Sequence, residues 1–282
     1  MRLDRPIGVY LLMWPTLWAL WFAAEGIPSL KTLSIFLVGL IVMRAAGCVI
    51  NDYADRHIDG LVERTKTRPL PAGEITPNQA LWLCGGLLFT ALILVLMTNP
   101  LTIALSFGGL AVTAIYPFMK RFTHLPQIGL GVAWAWVVPM AFAAHREELP
   151  WELWLIFAAI VVWTVAFDTY YAMVDRADDL KIGVKSTAVL FGRYDLAMIV
   201  LLQTATLVLM FLVGLEFQRG WIYFFGLLVA AAFFANQFRH ARHRERQACF
   251  AAFLSNHRVG MVIFIGIALD YVFEGLLLAS YF

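Results

Sequence analysis

The chain has 282 residues, 61% of them hydrophobic and 14% charged, with a mean hydropathy of +0.76. A soluble domain carries about a quarter charged residues, so that class is excluded. Apolar stretches of roughly 17–25 residues, each long enough for a ~30 Å hydrocarbon core, mark an all-α polytopic membrane protein. The ~10-residue alternating segments of an outer-membrane barrel are absent, and a net charge of +2 gives no sign of a nucleic-acid partner.

Nine spans are expected in chain order, near 7–24, 33–53, 79–98, 101–118, 127–144, 152–174, 189–214, 220–238 and 258–280. The breaks have ordinary turn chemistry: EGIPS after the first, RPLPAGEITPN after the second, then TNP, KRFTHLP and HREELP. No stretch reads as a linker, a soluble domain, a cleavable signal peptide or a low-complexity tail, so residues 1–282 are expected to form a single integral-membrane domain. Cys48 and Cys84 sit in apolar runs and Cys249 in a basic loop around 239–258; they read as small core residues or a free thiol, not as a disulfide framework.

Charge orients the bundle. All but Lys31, Arg44, Arg146 and Arg219 of the 21 Lys and Arg fall on one side of the nine-span arrangement. The positive-inside rule makes that side cytoplasmic, with the N-terminus inside and the C-terminus outside. The two densest acidic clusters, NDYADRHIDG (51–60) and VDRADD (174–179), both follow outside-to-inside spans and emerge on this same face.

In the first cluster Asn51, Asp55 and Asp59 are spaced by four. At 100° per residue they drift only ~40° per step and line one helix face, with Asp52 roughly 100° away. Tyr171, Asp175 and Asp179 repeat the spacing, with Asp178 beside Asp175. A lone acid at a helix end usually just solvates a loop. Two matching stripes of carboxylates at helix C-termini, where they oppose the macrodipole, call for a cation between them. Oxygen donors without a Cys or His pair suit Mg²⁺, which typically combines one or two carboxylates with substrate phosphates. The expectation is therefore a Mg²⁺-diphosphate site. Arg64, Lys66, Arg68, Lys120, Arg121, Lys181 and Lys185 lie on the same face and are placed to neutralise a leaving diphosphate. Arg56 counts with them as a substrate contact, although it and His57 also serve the loop.

RAAGCVINDYADRHIDGLVERTKTRPLPAG, AIYPFMKRFTHLPQ and DTYYAMVDRADDLKIGVKSTAVLFG together resemble the UbiA superfamily of intramembrane aromatic prenyltransferases, over almost the whole chain from RPIG to NHRVG. Members often carry a short segment before the first span, whereas this chain opens on MRLDRPIG. The resemblance implies nine helices around a central cavity in the bacterial inner membrane, with Mg²⁺ held through diphosphate by Asn51, Asp55, Asp59, Asp175 and Asp179. It implies transfer of a long polyprenyl group from its diphosphate to 4-hydroxybenzoate, at the ring carbon ortho to the phenol, in ubiquinone biosynthesis. Asp55 belongs to the catalytic set, Asp175 is the candidate for assisting at the phenol, and Arg121 the candidate for an anionic substrate group. Arg44 and Asp168 each lie seven residues before a motif, on its stripe. Charges inside a membrane are usually paired or functional, so both are expected at the cavity, Arg44 meeting the benzoate carboxylate or Asp168. Tyr171 joins the substrate contacts. Asp270 and Glu274 lie toward the far side and are given no role. The alternatives are the same chemistry on another aromatic acceptor, or a transporter, which would place its charges near the midplane.

Overall fold

A computed structural model of the chain describes residues 6–56, 65 and 67–279. They form helices α1 (Ile7–Ala24), α2 (Leu30–Asp55), α3 (Pro77–Val95), α4 (Pro100–Met119), α5 (Pro126–Ala135), α6 (Val137–Arg146), α7 (Leu153–Ile182), α8 (Thr187–Phe191), α9 (Asp195–Glu216), α10 (Trp221–Ala241) and α11 (Arg246–Ala279). With α5–α6 and α8–α9 each counted as one segment, nine among the described residues are long and apolar enough to cross a membrane. That is the number expected.

The starts follow capping rules. Thr76 and Gln79 form a reciprocal capping box on α3. The Asn99 carboxamide oxygen accepts from the Thr102 N–H at 2.9 Å, while its Nδ2 donates to the Ala143 carbonyl at 2.6 Å and ties α4 to α6. Pro77, Pro100 and Pro126 open their helices, where a missing N–H costs nothing.

Three boundaries differ from expectation. The fifth span is broken at Trp136 because Pro139, lacking an N–H, also clashes with the carbonyl four residues back, and Ala135 is where α5 ends. α7 continues to Ile182 and stops at Gly183, whose φ of 72° supplies the left-handed cap. α11 starts at Arg246, because RQACFAAFLSNH has no Gly or Pro to interrupt it. The expected loop around 239–258 shrinks to the turn between Ala241 and Arg246. Cys249 is accordingly a buried helix residue rather than a loop thiol.

α7 is the central helix, packed by α1, α5, α6, α8, α9 and α11. The Trp18 and Trp163 rings meet at 5.2 Å. Trp18 donates to the Gly260 carbonyl at 3.0 Å and Trp163 to Asn256 Oδ1 at 3.1 Å, which binds α1, α7 and α11 together. Lipid tails give no hydrophobic drive between helices, so close packing carries the association. Gly226 and Gly266 provide it between α10 and α11, where a Cβ on Gly226 would lie 3.1 Å from the Gly266 Cα. At the end of the bundle away from the acidic clusters, Asp270 accepts from the Gly220 and Tyr223 N–H groups at 2.8 and 3.2 Å and caps α10. Arg219 reaches Glu274 at 2.9 Å and stacks on Tyr271. Asp270 and Glu274 thus hold the far end together.

Candidate active site

The C-terminal end of α2 is covered by cations from neighbouring turns. Asp55 is 2% exposed; Lys120, at the end of α4, pairs with its Oδ2. Arg121 donates to the Ala54 carbonyl at 2.7 Å and lies over the Phe118 ring. Arg56 donates to the Tyr53 carbonyl at 2.8 Å and stacks on that ring at 4.4 Å. Positive groups on terminal carbonyls complement the helix dipole, which is how this end tolerates its carboxylates. Asn51, one turn back, is half-buried. Asp52, off the stripe as expected, pairs with Arg68 at 3.1 Å. Asp59, His57, Arg64 and Lys66 lie outside the described residues.

The end of α7 arrives beside it. Arg246, in the first turn of α11, approaches Asp178 at 3.5 Å and Asp175 at 3.6 Å. Asp179 follows Asp175 by one turn near the end of α7. Lys120 links the two helix ends, its Nζ paired with Asp55 and its carbonyl bonded to the turn after α7. The Lys185 N–H donates to the Lys120 carbonyl at 3.4 Å and its Nζ to that of Phe122 at 3.2 Å, fastening the turn after α7 to the turn after α4. Lys181 is on the exposed side of α7. Tyr171 packs on Phe253 at 4.6 Å.

Deeper in the bundle, Arg44 lies on α2 and Asp168 on α7, each seven residues before its motif. Arg44 Nη1 donates to Cys48 Sγ at 2.9 Å, and its guanidinium lies against α1 where residue 8 has no side chain. A Cβ on Gly8 would meet Arg44 Nε and Nη2 at 2.3 Å.

Sequence reasoning missed several residues. Arg246 had been counted only as a topology charge. Asp195, the first residue of α9, is fully buried and takes Arg176 and Arg244 as partners; nothing local in RYDLAM announces that.

The donor set suits a hard cation. It consists of carboxylate and amide oxygens, and Asp55 Oδ1 is a buried acceptor with no hydrogen-bond partner. Among the described residues no group of three or more His, Cys, Asp or Glu could hold a metal by itself.

These features define a polytopic helical membrane protein with one charged, oxygen-rich site where two helix ends meet. The chain belongs to the UbiA prenyltransferase family, whose pattern matches residues 12–264. It is 60% identical over 269 residues to the 4-hydroxybenzoate octaprenyltransferase of Chromohalobacter salexigens, covering 95% of this chain and 90% of that protein. It is 59% identical over 271 residues to the enzyme of the same name from Ectopseudomonas mendocina, covering 96% and 92%. Among solved structures, an apo UbiA homolog from Aeropyrum pernix matches with a TM-score of 0.83 at 24% identity, covering 96% of this chain and 99% of that one. A UbiA homolog from Archaeoglobus fulgidus bound to GPP and Mg²⁺ matches with a TM-score of 0.74 at 21% identity, covering 96% and 98%. At these identities the structures establish the fold.

Proposed function

We propose that the chain, acting as one domain over residues 1–282, is a 4-hydroxybenzoate polyprenyltransferase. It transfers a polyprenyl group from polyprenyl diphosphate to the ring carbon ortho to the hydroxyl of 4-hydroxybenzoate, giving 3-polyprenyl-4-hydroxybenzoate and diphosphate for ubiquinone biosynthesis. The observation that carries the reading is the near-60% identity, along almost the whole chain, to two proteins named 4-hydroxybenzoate octaprenyltransferase. The pairing of Asp55 with Lys120, whose turn is bonded to the end of α7, supports its chemistry.

Asn51, Asp55 and Asp59 from the first stripe, with Asp175 and Asp179 from the second, are the residues that would hold Mg²⁺ through the diphosphate. Bound there, Mg²⁺ supplies positive charge to the departing oxygens. Lys120, Lys185, Arg56, Arg68 and Lys181 add cations at the described helix ends to stabilise the developing charge, and Arg64 and Lys66 are assigned with them from the sequence. As the C–O bond of the allylic diphosphate breaks, a C–C bond forms at the ring carbon. The proton of that carbon leaves to a carboxylate, and Asp175 is the nearest candidate to assist at the phenol. Arg121 and Arg44 are the candidates for the benzoate carboxylate, with Asp168 and Tyr171 lining the acceptor side. Water would quench an allylic cation, so the chamber has to be dry, and aromatic faces stabilise such a cation. A prenyl tail is a membrane solute, which explains a site at the end of a lipid-embedded bundle. The charge asymmetry sets the site on the cytoplasmic side of the bacterial inner membrane, N-terminus inside and C-terminus outside.

The test is to supply membranes containing the chain with Mg²⁺, a polyprenyl diphosphate and ring-labelled 4-hydroxybenzoate, alongside a dihydroxynaphthoate as competing acceptor. Prenylated 4-hydroxybenzoate, formed in preference and lost on adding EDTA, supports the assignment. Preferential prenylation of the competitor overturns the acceptor and leaves the reaction class standing.

A further inference from the structure

The second acidic stripe borders a ring of charges of which the reaction described above uses only Asp175. Asp195 is fully buried at the start of α9. Its carboxylate pairs with Arg176 of α7, accepts from Arg244 Nε at 2.9 and 3.2 Å, and accepts from the Leu196 N–H at 2.6 Å. Arg244, in the turn between α10 and α11 with a φ of 58°, also donates to the Arg193 carbonyl at 2.9 Å. Two residues further on, Arg246 points back at Asp175 and Asp178, which flank Arg176 on α7. The chain closes the ring, because Arg176 directly follows Asp175 on α7 and Arg246 lies two residues after Arg244.

The two halves of this ring differ in kind. Breaking a buried ion pair by removing one partner is costly, so Asp195 fixes the turn firmly. Arg246 is 53% exposed, and its 3.5 and 3.6 Å approaches are loose. A half-exposed pair of this sort is weak and exchanges readily. Asp175 and Asp178 sit three positions apart on one helix and repel each other; a guanidinium lying across both relieves that repulsion. Its planar fork is equally suited to a diphosphate oxygen pair.

We propose that Arg246 is a diphosphate-binding residue that lies over Asp175 and Asp178 while the site is empty and turns to the diphosphate when metal and substrate arrive, with Asp195 as the positioning residue that keeps the 242–246 turn in reach. This rests on the diphosphate site proposed above. It makes a crossed prediction, because Arg246 competes with the metal for carboxylates but cooperates with it in holding diphosphate.

The experiment measures two affinities by calorimetry on the purified full chain, for Mg²⁺ alone and for inorganic diphosphate in saturating Mg²⁺. Arg246→Gln should bind Mg²⁺ alone tighter, by roughly twofold to fivefold, the size of a half-exposed ion pair. It should bind diphosphate more weakly by a similar factor, and Arg246→Lys should recover part of both shifts. Asp195→Asn, which keeps the shape of the side chain, should move both affinities in the same senses with Arg246 intact. Loss of both affinities together in Arg246→Gln would make Arg246 merely structural, and no change in either would remove it from the site. Failure of the unmodified chain to bind diphosphate with Mg²⁺ would instead overturn the site on which the inference rests.

Discussion

Arg44 shows how much one residue's position depends on a neighbour with no side chain. Its guanidinium rests where residue 8 is glycine, and an added Cβ would meet the flexible end of the side chain rather than backbone. Gly8→Ala should therefore displace Arg44 at little cost in stability. If Arg44 meets the benzoate carboxylate, Gly8→Ala and Arg44→Gln should both raise the KM for 4-hydroxybenzoate, by about tenfold for loss of a charge-assisted contact worth roughly 1.5 kcal/mol. Both should leave the KM for polyprenyl diphosphate unchanged. An unaltered acceptor KM in Arg44→Gln and in Arg44→Lys would assign Arg44 a structural role instead. Most of this residue-scale picture was legible in the sequence. The four-residue spacing put Asn51 and Asp55 on one face and Asp52 off it, and Asp52 indeed turns away to Arg68. Asp195 was not legible, because its partners Arg176 and Arg244 come from other elements and only the fold brings them near.

Among the helices, the break between α5 and α6 carries the next consequence. Trp136 sits at the break, donates to the Leu105 carbonyl at 2.8 Å, and lays its indole against Gly108 and Gly109 of α4. A Cβ on Gly108 would be 2.6 Å from Trp136 Cζ2. Gly85 of α3 is a control, since nothing lies within 4 Å of its would-be Cβ. Gly85→Ala should raise stability by up to about 1 kcal/mol through helix propensity alone. Gly108→Ala should lower it, because overpacking of about 1–3 kcal/mol exceeds that gain. Thermal unfolding in detergent measures both, and equal shifts in the two variants would mean that Trp136 does not constrain α4. Helix existence was readable from apolar length, and helix starts from Thr76, Asn99 and the prolines. Helix ends were less so. The charge run at 239–246 reads as a loop, yet Arg239 lies in the last turn of α10 and Arg246 opens α11, where eleven residues without Gly or Pro, to His257, follow it. Pro139, in contrast, was a visible breaker inside the expected fifth span.

For the whole molecule, the proposed orientation, with all nine membrane-length segments of the described residues crossing the bilayer, puts the two termini on opposite sides. A periplasm-active phosphatase fused after Phe282 should be active and a cytoplasm-only fluorescent reporter dark, with the reverse pattern for fusions in the turn between α10 and α11. Matching activity at both points would refute the orientation. The same topology sends α2 and α7, whose acidic stripes stand 120 residues apart, in the same direction, so their charged ends coincide. The sequence alone carried that inference; it did not say what ties them together, and the turn at Lys120, paired with Asp55 and bonded to Lys185, does so. The central claim is that the two stripes form one metal-dependent diphosphate site. The most direct measurement is the rate of ring prenylation of 4-hydroxybenzoate, with Mg²⁺ and polyprenyl diphosphate, by the unmodified chain, Asp55→Ala, Asp175→Ala and the double variant. If the stripes act as one unit, each single variant should lose at least about a hundredfold and the double variant little more, as groups acting together do. Undiminished prenylation in the double variant would contradict the account.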